Sequence, residues 1–349
     1  MSSNVSVVIL IAAAGIVAWL GSLAVLVHAS RLGFVQSPNH RSSHVQPTPH
    51  SGGLGILLGG SLAGFWVAWG QRQQWWVILG LAFVLGMVGL LDDKRHLQAR
   101  VRFGVQLIVC ALLLWSVGWV VSLFPTLSSL PEAWGSPVGC LLSVILVFAG
   151  VWWINLFNFM DGIDGIAGSQ AVFMLVTGAA LGAWFHPLEI GSVGWVWMLA
   201  IAAAAVGFLV LNWPPATIFM GDVGSTYLAF MILALALISV SDGWLTFPVW
   251  LVLGAIFFSD ATMTLLRRML AGERWFEAHR SHAYQRLSRR WGAHRPVTLL
   301  TITVNVLWLA PMAWACLAWP KWAWGCVVLA YGPLVAAMVM LGAGKNDGL

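Results

Sequence analysis

The sequence predicts an all-α integral membrane protein, and three observations carry that fold class. Hydrophobic residues make up 60% of the 349 residues and charged residues only 8%, where a soluble domain carries roughly 25% charged. Mean hydropathy is +0.87. Apolar runs of helix-spanning length, about 17 to 25 residues, recur along the chain. A water-soluble globule is excluded, and the pI near 9.4 reads first as membrane topology rather than as nucleic-acid binding.

The runs fall near residues 5–27, 52–70, 75–91, 103–123, 137–154, 166–185, 193–211, 223–240, 244–264, 297–319 and 323–343, eleven expected spans in one polytopic domain covering 1–349. The first lacks a positive flank and reads as a span, not as a cleaved signal. Fifteen of the seventeen basic residues lie in the connections after the odd-numbered spans and in the C-terminal tail; Arg72 and Lys321 are the exceptions. The positive-inside rule then sets the N-terminus outside and the C-terminus in the cytoplasm. Tryptophan pairs such as Trp75-Trp76 and Trp152-Trp153 suit interfacial belts. Cys110, Cys140, Cys316 and Cys326 sit in apolar runs without metal-ligand spacing and read as small buried hydrophobes.

The polar residues gather on the expected cytoplasmic face, in four segments. LLDDKRHLQARVR, Leu90 to Arg102, sets Asp92 and Asp93 side by side at the end of the third span. Lys94 and Arg95 could neutralise them in an ordinary solvated loop. NLFNFMDGIDGIAG repeats Asn155, Asn158, Asp161 and Asp164 at intervals of three, which on a helix forms one polar stripe. NWPPATIFMGDVGS carries Asn212 and puts Asp222 at the start of the eighth span, where a plain N-cap is the simplest reading. HRSHAYQRLSRRWGAHRP lies in the Arg/His-rich loop 267–296, whose basic residues are all arginine. Arginine suits bidentate phosphate contacts, although anchoring would need charge alone. Asp260, toward the inner end of the ninth span, reads as a helix-end partner of Arg267.

No lysine or arginine occurs between Phe103 and Leu266, yet charges near a membrane must be paired or coordinated. Carboxylate and amide oxygens without thiolates specify a hard cation, Mg2+ first and Mn2+ next. Such a cation opposite arginine and histidine points to phosphoryl transfer on a substrate partly in the lipid. The rival of another class is a secondary transporter with an Asp/Asn-lined site, but transporter sites lie near the bilayer midplane.

The motifs PNHRSSHVQPTPHSGGLG, DDKRHL, NLFNFMDGIDGIAG, NWPPATIFMGDVGS and HRSHAYQRL, in this order from Pro38 to Pro296, resemble those of the polyprenyl-phosphate N-acetylhexosamine-1-phosphate transferases, glycosyltransferase family 4. That resemblance implies transfer of a sugar phosphate from a UDP-HexNAc to undecaprenyl phosphate, with Mg2+ and release of UMP, in a bacterial inner membrane with the N-terminus in the periplasm. It implies Asp222 and Asp93 at the metal and Asp92, Asp93, Asp161 and Asp222 as catalytic carboxylates. Asn155, Asn158, Asp164 and Phe219 would contact the nucleotide, and His279, Arg280, His282 and Arg286 the diphosphate and sugar. Asn212 and His44 would touch or support the substrate. Direct attack by the lipid phosphate and a covalent aspartyl intermediate both remain open. HRSHAYQRL lacks the consecutive histidines of the pentapeptide-transferase branch, which favours the branch that initiates O-antigen and related polysaccharides. A homodimer through lipid-facing spans is a further expectation.

Overall fold

The computed structural model describes residues 4–36, 48–118, 137–273 and 279–345. Its helices are α1 Asn4–Leu32, α2 Leu54–Ala68, α3 Gln73–Arg95, α4 Ala99–Ser116, α5 Pro137–Phe159, α6 Ile166–Phe185 and α7 Val193–Asn212. They continue with α8 Gly221–Ser241, α9 Phe247–Leu253, α10 Ala255–Leu270, α11 Ala283–Trp291, α12 Arg295–Val304, α13 Ala310–Ala318 and α14 Ala323–Met340. A π-helical turn, Asn305–Leu309, joins α12 to α13. Helices dominate because a chain in lipid must satisfy its backbone polar groups within each segment.

Among the described residues, nine helical segments are long and apolar enough to cross a membrane, and the bent α9–α10 pair could make a tenth. Eleven apolar runs therefore do not give eleven straight spans. The second is a helix of 15 residues, about 22 Å long at 1.5 Å per residue, short of the roughly 30 Å hydrocarbon core. The ninth breaks at Gly254 with a 72° bend. The break frees backbone carbonyls inside the protein, and Gln170 Nε2 donates to that of Leu253 at 2.9 Å, itself held by Asn305 Nδ2 at 2.7 Å. A chain that is apolar on all sides gives no signal for such a break.

The helix at the centre is α8, with 83% of its most apolar 18-residue window buried. It packs against α2, α3, α5, α6, α7 and α9. The contact with α3 depends on Gly89: a side-chain carbon there would lie 2.5 Å from the Asp222 carbonyl oxygen and 2.7 Å from the Val223 nitrogen. Close approach over small residues is the usual way helices associate in lipid. Here it brings the last turn of α3, with both its aspartates, beside the first turn of α8.

Two short strands, β1 Val35–Gln36 and β2 Thr48–Pro49, pair antiparallel. The chain after β2 docks on the entrance to α8, through Phe219 N to Pro49 O, Gly52 N to Phe219 O and Gly53 N to Met220 O, each 2.9 Å. Trp75 and Trp153 are buried against other helices, and the Trp153 indole N–H donates to the Ala229 carbonyl at 2.8 Å. Among the described residues Cys140 is exposed, whereas the other three cysteines are buried as expected.

Candidate active site

Asp93 organises the site from the end of α3. Its Oδ1 accepts the Asp222 N–H at 2.8 Å, and its Oδ2 accepts Ser51 Oγ at 2.8 Å and the Val223 N–H at 3.4 Å. The free N–H groups at the start of α8 and its helix dipole favour an anion there. Asp93, not Asp222, supplies it, which corrects the N-cap reading of Asp222. Gly221 has φ +73°, and a side-chain carbon on it would meet Asp93 Oδ2 at 2.5 Å, so glycine suits the turn on both counts.

Freed from capping, the Asp222 carboxylate faces α4 and α5. Asn158 Nδ2 donates to its Oδ1 at 2.8 Å and lies equally close to Ser225 Oγ. Arg102, in the first turn of α4, donates Nη1 to Asp222 Oδ2 at 3.2 Å and also pairs with Asp92 Oδ2. The other Asp92 oxygen accepts the Leu97 N–H at 2.6 Å. Asp92 is 6% exposed, against 28% for Asp222 and 38% for Arg102. The opening into the site is therefore on the Asp222–Arg102 side. Lys94 and Arg95, the nearer cations in sequence, are not the partners of these carboxylates; Lys94 lies 5.0 Å over the Phe34 ring.

The expected polar stripe is not one helical face. Helix α5 ends at Phe159, and the glycines that follow turn the chain, Gly165 with φ +74°. Asn155 faces α4 and binds Gln106 Oε1 at 2.7 Å and the Val151 carbonyl at 2.8 Å. Only Asn158 reaches the Asp222 cluster from within α5. Asp161 is part-buried beyond the helix end; burial and the charges of Asp222, Asp93 and Asp164 hold its carboxyl well above the usual range. Asp164 goes the other way. Burial opposes its ionisation, but His294 at 3.0 Å from Oδ1 and the Ala216 N–H at 3.0 Å from Oδ2 outweigh it and lower its pKa. Asn212 binds the loop from beneath, accepting the Gly165 N–H at 3.0 Å and donating to the Ile218 carbonyl at 2.8 Å. At 3% exposed it shapes the loop rather than lining an opening. Phe219 engages through its backbone, as described above, and its residue is part-buried.

The histidine–arginine segment is fixed by Asp260. That carboxylate, 1% exposed, accepts the Ala283 and Tyr284 N–H groups at 2.9 Å and Thr264 Oγ1 at 3.1 Å, with His282 Nδ1 at 3.3 Å. It thereby anchors the start of α11. Asp260 does not pair with Arg267 as expected, because Arg267 donates instead to the Ala343 carbonyl. Tyr284 Oη donates to the Phe159 carbonyl at 2.9 Å, which docks the segment on the loop that carries Asp161. His282 is buried between His279 and Tyr284, with ring centroids 4.9 and 5.6 Å away. Burial, then the charges of His282 and Arg268, push the His279 imidazole down to about 3, so it is neutral at physiological pH. Arg289 Nη1 donates to the Arg280 carbonyl at 2.9 Å. Arg286 is turned to the other side, onto the Leu341 and Lys345 carbonyls. His44, with His40 and Arg41, lies outside the described residues.

The structure thus joins Asp92, Asp93, Asn158 and Asp222 in one cluster, with Asp161, Asp164, His279 and His282 on segments docked beside it. Asn155, Asn212 and Arg286 act elsewhere in the packing. Arg102, Ser51, His294 and Asp260 also belong to the arrangement; the first three lie within the quoted motifs and Asp260 near the inner end of a span, but nothing in the sequence distinguishes them as parts of the site. Arg102 is one of several basic residues in its segment, and its ten-residue separation from Asp92 matters only because α4 folds back beside α3. Among the described residues no group of three or more His, Cys, Asp or Glu side chains is arranged to cage a metal.

Comparison with known proteins identifies the family. The sequence model of the family described as Glycosyl transferase family 4 matches residues 75–240, a stretch that includes α3, α5 and the start of α8. The chain is 30% identical to a probable undecaprenyl-phosphate N-acetylglucosaminyl 1-phosphate transferase of Bacillus subtilis, over 80% of this chain and 76% of the relative. It is 28% identical to a decaprenyl-phosphate N-acetylglucosaminephosphotransferase of Mycobacterium tuberculosis, over 95% and 84%. A phospho-N-acetylmuramoyl-pentapeptide-transferase of Synechococcus elongatus is 29% identical over 64% and 62%. With the carboxylate cluster lying within the matched stretch, the chain belongs to the polyprenyl-phosphate N-acetylhexosamine-1-phosphate transferases of glycosyl transferase family 4.

Proposed function

We propose that this protein transfers a HexNAc-1-phosphate from a UDP-sugar to undecaprenyl phosphate at the cytoplasmic face of a bacterial inner membrane. The products are undecaprenyl-diphospho-sugar and UMP, and the step initiates O-antigen or a related surface polysaccharide. The observation that carries the reading is the Asp222 carboxylate, left free of capping by Asp93 and aimed by Asn158 toward the more open side of the cluster. Relatives named for N-acetylglucosaminyl phosphate transfer to a polyprenyl phosphate support the donor and acceptor classes.

In this reading an oxygen of the lipid phosphate attacks the β-phosphorus of the UDP-sugar, the bond to the UMP oxygen breaks, and UMP leaves. A phosphate monoester has a second pKa near 6, so its dianion is common at neutral pH and needs little help from a base. Asp92 would first have to release Arg102 to act as one. Mg2+ fits the donor chemistry: it characteristically takes one or two carboxylates and fills its shell with water and substrate phosphates. A protein cage is therefore not required, and Asp222 with the Asn158 amide offers the hard oxygens. When bound, the cation would neutralise charge on the diphosphate. The neutral imidazole of His279 and the neighbouring Arg280 would face the sugar and its phosphates. A homodimer remains part of the proposal.

The test is UMP release by the purified protein in nanodiscs with undecaprenyl phosphate, across UDP-GlcNAc, UDP-N-acetylfucosamine, UDP-N-acetylquinovosamine and UDP-MurNAc-pentapeptide. Release with one of the first three, abolished by EDTA and restored by Mg2+ or Mn2+, is expected. Release with the pentapeptide donor alone would move the protein to the peptidoglycan branch, and none with any donor would overturn the reading.

A further inference from the structure

The oxygens of the carboxylate cluster are not equally committed. Both Asp93 oxygens accept from the α8 N-terminus and Ser51. Asp92 Oδ1 accepts from the Leu97 backbone and Asp222 Oδ1 from Asn158. These donors are fixed by helix ends and packing. The remaining two, Asp92 Oδ2 and Asp222 Oδ2, share a single donor nitrogen, Arg102 Nη1. Two carboxylates that share one donor repel each other unless a cation or a proton lies between them.

Arg102 differs from the fixed donors in being able to leave. Its side chain is 38% exposed, it sits in the first turn of α4, and a guanidinium binds phosphate in the same forked geometry as carboxylate. A divalent cation bound at Asp222 Oδ2 and the guanidinium repel each other across that oxygen, so each weakens the other's hold on it.

We propose that Arg102 stands in for the divalent cation between Asp92 and Asp222 while the site is without substrate, and moves onto a substrate phosphate when the cation enters. Arg102 then prevents the cluster from trapping a cation without substrate, and turns cation entry into a signal that frees a phosphate-binding group. This rests on the Mg2+-assisted reading above, but its consequence is measured without either substrate.

The experiment is a Mn2+ titration, followed by electron paramagnetic resonance, of the full chain in nanodiscs free of nucleotide and polyprenyl phosphate. Arg102→Gln should tighten Mn2+ binding about tenfold, the equivalent of one charge-assisted hydrogen bond no longer competing. The gain should vanish in Arg102→Gln with Asp222→Asn. Arg102→Lys, which keeps the charge but lacks the fork, should fall between native and Gln, and it decides the matter if Arg102→Gln does not fold. If Arg102 serves only to brace the carboxylates, its loss splays them and weakens Mn2+ binding; weakened or unchanged affinity overturns the proposal. Failure of UMP release with every donor would instead sink the proposed function and leave this titration standing.

Discussion

At the scale of single residues, two asparagines three positions apart have different tasks. Asn158 aims Asp222, whereas Asn155 clasps Gln106 across a helix pair. Asn158→Ala should cost about 1.5–3 kcal/mol in the transition state, roughly ten- to a hundredfold in turnover. Asn155→Ala should lower thermal stability by about 1 kcal/mol with turnover nearly native. UMP release and thermal unfolding of the two variants check the pair; equal losses of turnover would refute the division. His279 gives a pH prediction. Its folded pKa, about 3, lies below the ordinary 6.5, so protonation favours the unfolded chain. Its contribution to stability is present above pH 6.5 and is lost progressively as pH falls from there toward about 3. His279→Gln should flatten that part of the unfolding temperature against pH, and an unchanged slope would contradict it. The residue types were legible from the sequence. Which of them meet was not, because the helical period that predicts a stripe stops at Phe159, where the glycine-rich turn begins.

At the scale of elements, the junction of α3 and α8 makes the site. Gly89 lets the helices touch, and Asp93 then reaches the α8 N-terminus about one turn further on. Gly89→Ala should press a methyl against the Asp222 backbone, costing about 1–3 kcal/mol as overpacking does. Because the strain falls on the catalytic turn, turnover should drop more than stability. Chemical unfolding and UMP release on one preparation separate the two, and native turnover with lowered stability would refute the coupling. The sequence shows Gly89 as one more small residue in an apolar run. Its importance comes from a partner helix more than a hundred residues later. Asp260 tells the same story. Its four-donor environment assembles from α10 and the start of α11, whereas its own helix offers as cations only Arg267 and Arg268.

At the scale of the whole molecule, the distribution of basic residues predicts an orientation that can be tested directly. In a background without the four native cysteines, Lys321→Cys should react with a membrane-impermeant maleimide on intact cells. Arg290→Cys should react only after permeabilisation. The reverse pattern would invert the molecule and put the Asp222 cluster outside, away from a cytoplasmic UDP-sugar.

Composition and hydropathy by themselves determined the fold class, the positions of the apolar segments and the motifs that carry the family, because a lipid environment constrains each segment locally. They did not determine which segments would be short or broken. A backbone gap at Gly254 is tolerable only where Gln170 and Asn305 from other helices can satisfy it. Nor did they decide the site's electrostatics. NLFNFMDGIDGIAG and DDKRHL announced a concentration of negative charge. Only the tertiary structure decided that Asp93 caps a helix, that Arg102 bridges Asp92 and Asp222, and that the Asp222 carboxylate is left free of capping. Those pairings depend on close approach of side chains from different helices, and their partners lie up to 130 positions apart in the chain.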